Sequence, residues 1–128
     1  MDADRALARL VAHARGDADT LALILFGSRA RGDARPGSDL DVCVVLTPAR
    51  RSDLAMAEKR LEYLAAADAD VVVFQQLPLH LRSRVLKEGR VEFVRDEDAL
   101  YGLAVRTARA FERFRPIHRA YLDEVARG

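Results

Sequence analysis

The chain has 128 residues, half of them hydrophobic and 32% charged, which is the composition of one globular domain around a single core. Its formal net charge of +1 is too balanced to make duplex nucleic acid an expected partner, and its longest apolar run, residues 21–26, is far too short to span a membrane. A lone Cys43 excludes an internal disulfide, no Cys/His spacing suggests zinc, and the acidic N-terminus with Asp2 and Asp4 does not read as a secretory signal, so a reducing cytoplasmic setting is expected.

The pattern predicts a single domain over 1–128 with a helical C-terminal segment over 96–128. Residues 3–15 place Ala6, Leu7, Leu10, Val11 and Ala14 at helical spacing before Gly16 breaks the pattern. Residues 21–26 read as a buried strand ending at Gly27-Ser28. After a turn at Pro36-Gly37, a Val-rich strand is expected over 39–46. Ser52 caps a helix to about residue 67, with Leu54, Ala57, Leu61 and Leu64 as its apolar stripe. A third strand follows at 71–74, a helix at 79–87 opened by Pro78 and stopped by Gly89, and a fourth strand at 91–94. The last helix spans 96–114, and Pro116 is expected to break it before a second piece at 117–126. The fold class is therefore α/β or α+β, a small mixed β-sheet flanked by helices.

The chemistry is concentrated in Gly27-Ser28-Arg29-Ala30-Arg31-Gly32 and Ser38-Asp39-Leu40-Asp41. Gly27 lets the backbone approach a ligand, and the hydroxyl and amide of Ser28 can meet a phosphate at the start of a short helix. Alternation along a strand would put Asp39 and Asp41 on one face, with Leu40 and Val42 turned to the core. Asp70 opens the next strand and adds a third carboxylate. Three acids suit a paired Mg²⁺ site, in which one ion activates an attacking hydroxyl and the other neutralises a triphosphate; the reaction is nucleotidyl transfer.

Gly27-Ser28, ten further residues, then Asp39-x-Asp41 resembles the signature of the minimal nucleotidyltransferases, the MNT domains, a compact branch of the polymerase-beta-like superfamily. The resemblance spans 21–122, and Arg29, Arg31, Gly32, Ser38 and Asp70 also match. Family members often carry another acid three residues after the third one, where Val73 stands here. The stretch 111–121, with Phe114, Pro116 and Arg119, looks like the family's C-terminal segment. The resemblance implies ATP as substrate, Gly27, Ser28, Arg29, Arg31 and Ser38 around the nucleotide, and Asp39, Asp41 and Asp70 at Mg²⁺, with Asp70 also orienting or deprotonating the acceptor. It further implies a HEPN-type toxin protein as partner and AMP transfer onto one of its tyrosines, the chain acting as antitoxin.

Other readings compete at each position. A non-catalytic antitoxin or scaffold would neutralise its partner by contact alone, though it would have no need of three acids. Transfer to a small molecule such as an aminoglycoside normally needs an added substrate domain. Ser28 could simply cap a helix, and Asp68 could be mistaken for Asp70. Cys43 reads as a small buried hydrophobe, and His13, His80 and His118 as ordinary histidines at no metal-binding spacing. Tyr63, Tyr101 and Tyr121 read as helix packing. The ridge of Ile117, Tyr121, Leu122 and Val125, rimmed by Arg115 and Arg119, either closes the core or contacts a protein partner.

Overall fold

The structure, a computed structural model, describes residues 2–32 and 39–127. The turn expected at Pro36-Gly37 and the candidate Ser38 lie outside the described residues. The elements follow as α1 (Ala3–Arg15), β1 (Thr20–Phe26), α2 (Ser28–Arg31), β2 (Asp41–Leu46), α3 (Asp53–Ala66), β3 (Asp70–Val73), a short 3₁₀ turn (Phe74–Gln76), α4 (Leu79–Glu88), β4 (Arg90–Val94) and α5 (Glu97–Arg127). Three helices begin at side chains that satisfy free amides: Asp2 accepts from the Asp4 and Arg5 N–H, Ser52 from Ala55, and Asp96 from Ala99. No described helix is long and apolar enough to cross a membrane.

The sheet runs β3-β2-β1-β4, with β1 antiparallel to both neighbours and β2 parallel to β3. It is the small mixed sheet expected, and helices cover both faces. On one face Ala6, Leu10 and Ala14 of α1 and Tyr63 of α3 pack on Leu23, Leu25, Val42, Val44 and Val71. On the other, Val85 and Leu86 of α4 and Leu100 and Leu103 of α5 pack on Ile24, Cys43 and Val45. Cys43 is fully buried there and burial pushes its thiol up to about 12, in keeping with inert packing.

Three expectations are corrected. Strand β2 begins at Asp41, so Asp39 lies outside it: β1 ends at Phe26, the partner of Asp41, and leaves nothing for residue 39 to pair with on that side. Helix α3 is turned away from its most obvious stripe, with Leu54 69% and Leu61 62% exposed while Tyr63 is buried. The rotation is fixed by polar contacts, because Lys59 Nζ reaches both Asp17 oxygens at 3.0 and 3.1 Å, and the Tyr63 hydroxyl meets Asp17 at 3.0 Å and Thr20 Oγ1 at 2.7 Å. Leu61, two residues from Tyr63, is thereby carried roughly 200° around the helix. Finally, Pro116 does not break α5, which continues to Arg127. The proline withholds one N–H from the carbonyl of Glu112, which is exposed and accessible to water, and the turns on either side persist.

A second polar lock joins distant ends. The Arg95 guanidinium donates to the carbonyls of Ala14, Arg15, Asp17 and Thr20, satisfying the C-terminus of α1 from the far end of β4.

The Asp17 carboxyl is held below its ordinary value of 3.8: burial pushes it up, but hydrogen bonds from Lys59, the Asp19 amide, Thr20 and Tyr63 outweigh that. A lowered carboxyl contributes stability above its unfolded value and loses it as pH falls through the folded one. Asp17→Asn should therefore cost about 3 kcal/mol at neutral pH, as loss of a largely buried charge partner does, and the gap to wild type should narrow below pH 3.8. Thermal melting of both proteins across that range checks this, and a gap independent of pH would refute it.

Candidate active site

The sheet topology brings three strand ends together. Because β1 and β2 are antiparallel, the end of β1 lies beside the start of β2; because β2 and β3 are parallel, the start of β3 lies there too. Phe26, Asp41 and Asp70 are consecutive partners across the three strands. The row is held at its start by the Asp70 amide, which donates to the Leu40 carbonyl at 2.8 Å. Asp41 continues the row of Cys43 and Val45, and Asp70 that of Val72, so both carboxylates stand at the edge of the face covered by α4 and α5. Asp39 lies close enough for its charge to act on Asp41. Asp68 is exposed, in the segment before β3. Val73, where the related pattern often has an acid, is 1% exposed on the opposite face, a packing position turned away from the cluster.

Gly27 follows at once, with φ +76° and ψ −158°. A Cβ there would sit 2.5 Å from Asp41 Oδ2, so the glycine is required by the carboxylate as well as by the backbone. The chain then makes the single turn of α2, in which the Arg31 amide donates to the Gly27 carbonyl at 3.2 Å. Gly27 occupies the cap position and Ser28 is the first helical residue, so the capping role considered for Ser28 does not apply. The two arginines diverge: Arg31 lies on the acid side, where its charge opposes the others acting on Asp41, whereas Arg29 faces a groove on the α1 side with Leu7 and Leu40.

Burial raises the Asp41 carboxyl, and so do the charges of Asp70 and Asp39 and a hydrogen bond shared with Asp70; Arg31 only partly offsets this. A carboxylate raised by burial and by two neighbouring acids, with an oxygen-only donor set, fits a hard divalent cation such as Mg²⁺. Among the described residues, the group whose ligand atoms lie within 4.8 Å of one another is His13, Asp17 and Glu62 rather than the three acids. It already contains a cation, since Lys59 Nζ lies 3.0 Å from Asp17 and 3.4 Å from Glu62. His13 pairs with Glu62 at 2.6 Å and meets the Tyr63 ring edge-on. The other two histidines, far apart in sequence, stack on each other with centroids 4.8 Å apart and tie α4 to α5.

Beside the acids lies a cavity of about 360 Å³ between the sheet and α4. Its walls are Phe26, Val72, Leu77, Leu81 and Val85, and Gly27, Arg31, Asp70, Arg84 and Glu88 complete it. Sequence reasoning missed the α4 residues, although Leu77, Leu81 and Val85 recur every four residues, a signal that could equally have been core packing.

The family model described as nucleotidyltransferase domain matches residues 9–92, about two-thirds of the chain and every candidate residue. The chain belongs to the nucleotidyltransferase domain family. No curated protein matches it. Among solved structures, it is similar to a chain of a toxin-antitoxin with AMP-PNP, at TM-score 0.72 and 20% identity over 98% of this chain and 99% of that one. It is also similar to a chain in the complex of tri-AMPylated Shewanella oneidensis HEPN toxin with MNT antitoxin, at TM-score 0.70 and 19% identity over 98% and 99%. A third similarity is to the toxin-antitoxin MntA-HepT, at TM-score 0.67 and 21% identity over 96% and 98%. These likenesses establish a shared fold across the length of this nucleotidyltransferase, α5 included.

The Gly27 geometry of the domain is open to a direct check. Gly32 also has positive φ, at +78°, but a Cβ added there would meet nothing within 4 Å, whereas one added at Gly27 would meet the Asp41 carboxylate. Gly32→Ala should cost about 1 kcal/mol of backbone strain and Gly27→Ala about 3 kcal/mol or more, since its φ/ψ region is essentially glycine-only and the carboxylate must move. Equal losses in melting temperature would show that the close approach to Asp41 is immaterial.

Proposed function

We propose that this chain is a Mg²⁺-dependent nucleotidyltransferase that moves AMP from ATP onto a tyrosine hydroxyl of a HEPN ribonuclease toxin, and so serves as that toxin's antitoxin. The observation that carries the reading is the pairing of Asp41 with Asp70 at one sheet edge next to Gly27-Ser28, with Asp39 just before β2, within a nucleotidyltransferase domain. The similar structures support the finer part, because one holds AMP-PNP and another an AMPylated HEPN toxin. In this reading residues 1–128 act as one cytoplasmic domain.

Asp39 and Asp41, with Asp70, would hold Mg²⁺, which when bound supplies positive charge against the triphosphate and the departing pyrophosphate. The Ser28 hydroxyl and amide, reached over the bare Gly27 backbone, hold the phosphates, with Arg31 and Ser38 as further contacts, while Arg29, on the α1 side, takes no part. Asp70, at the outer end of the row, accepts the proton of the attacking hydroxyl. The new bond forms between that oxygen and the α-phosphorus, the bond to the β-phosphate oxygen breaks, and pyrophosphate leaves.

The acceptor is brought by the partner through α5. Ile117 is 67% exposed, Tyr121 65%, Leu122 50% and Val125 58%, so this ridge does not close the chain's own core. Tyr101, at 73%, is likewise not a packing residue. The exposed ridge also suits the rival in which binding alone neutralises the toxin, and the acids decide between the two.

Asp41→Asn and Asp70→Asn should each lower transfer of label from ATP to a co-purified toxin by about a hundredfold or more, the scale of several kcal/mol of charge stabilisation. Asp68→Asn should transfer at the wild-type rate. Full transfer by Asp41→Asn would overturn the site assignment, whereas undiminished neutralisation of the toxin by an Asp41→Asn chain that transfers no label would leave the binding-only reading. Tyr121→Ala or Leu122→Ala should weaken the complex by about 1 to 2 kcal/mol without lowering the melting temperature; lost thermal stability with unchanged affinity would reject the interface.

A further inference from the structure

The cavity between the sheet and α4 is not needed to hold phosphate, yet it opens directly onto the acids. We propose that it seats the aromatic ring of the acceptor, with Leu77, Leu81 and Val85 as its wall and Asp70 at its mouth receiving the hydroxyl. The inference rests on the transfer reading above and adds where the acceptor lies and what selects it.

Its apolar wall comes from three separate elements, Phe26 from β1, Val72 from β3, and Leu77, Leu81 and Val85 from α4 and the turn before it, with the charged Arg31, Asp70, Arg84 and Glu88 at its margins. A ring buried there gains from leaving water, whereas the hydroxyl of a serine or threonine could meet Asp70 only by leaving the wall uncovered. Both Gly27 and Asp70 border the same space, so a group filling it touches the reacting centre. A phenol carries its oxygen on the ring itself and matches that closeness. Adenine is separated from its own α-phosphate by a ribose, for which a base lodged against Asp70 would leave no room. At the outer rim Arg84 Nε pairs with Glu88 at 3.1 Å, and both side chains are exposed, so the end of the cavity away from Asp70, through which the peptide carrying the ring would leave, presents a neutral pair. The apolar wall therefore discriminates tyrosine from aliphatic hydroxyls.

The test uses the whole chain, with its Leu and Val methyls isotopically labelled, titrated separately with p-cresol and with adenosine. The expected result is a saturable shift of the Val72, Leu77, Leu81 and Val85 methyls with p-cresol and none at Leu122 on the distant ridge, while adenosine leaves the cavity methyls in place. A response of these methyls to adenosine, or to neither probe, overturns the proposal. Filling the cavity by Leu81→Trp, in a variant shown by melting to be folded, should raise KM for the toxin acceptor at least about tenfold and change KM for ATP less than about twofold, the range in which an apolar pocket discriminates. A rise confined to ATP would overturn it as well. The titration needs no turnover, so a wild-type chain that transfers no AMP would defeat the transfer reading while the p-cresol response still judges the cavity.

Discussion

Strands β1 and β2 are covered on both faces, and that single constraint governs where charge can go in this molecule. Leu23, Leu25, Val42 and Val44 are turned to α1 and α3, and Ile24, Cys43 and Val45 to α4 and α5, each with almost no exposure. A carboxylate placed along either strand would be stripped of water on both sides at a cost of several kcal/mol. Only the strand ends remain for polar chemistry. The antiparallel pairing of β1 with β2 and the parallel pairing of β2 with β3 bring three such ends to one place, where Gly27, Asp41 and Asp70 meet.

The arrangement is held under electrostatic tension by the apolar structure beneath it. Asp41 is partly desolvated and feels the charges of Asp70 and Asp39, against which Arg31 acts among the described residues. The ladder below holds the backbones of Asp41 and Asp70 together against that repulsion. Gly27 belongs to the same argument, since the space that a side chain would take is filled by the Asp41 carboxylate. In the proposed reaction a divalent cation relieves that repulsion, so the energy the fold spends in assembling the acids reappears as affinity for metal and phosphate.

The opposite end of the sheet uses charge differently. Asp17 gathers Lys59, Tyr63 and Thr20, and Arg95 gathers the last carbonyls of α1, so that nearly every buried polar group finds a partner. These contacts fix the rotation of α3 and tie the end of β4 to the end of α1. The two ends thus differ: one pairs its charges internally, and the other brings carboxylates together. Helices α4 and α5 add a seam braced by the His80–His118 stack, with the acid-side cavity at one margin and the exposed ridge of Ile117, Tyr121, Leu122 and Val125 beyond it.

Sequence alone determined the order of elements and the two-face burial of the central strands, and it singled out the candidate acids, because these are local properties. Helical spacing places Ala6, Leu10 and Ala14 on one side, a run such as 21–26 has no polar face to show water, and Gly27-Ser28 with Asp39-x-Asp41 is a contiguous pattern. Tertiary structure alone decided the rest. The face of α3 could not be read from its leucines, since the choice between Leu61 and Tyr63 rests on Asp17, 46 residues before Tyr63. The persistence of α5 through Pro116 depends on the exposure of that turn, and the separation of Arg29 from Arg31 depends on which side of the sheet each meets. The cavity beside Asp70 is assembled from β1, β3 and α4, and no stretch of sequence contains it. Periodicity and short motifs record what a segment offers to its neighbours; which neighbour accepts it is fixed only when burial, charge pairing and strand register are satisfied together.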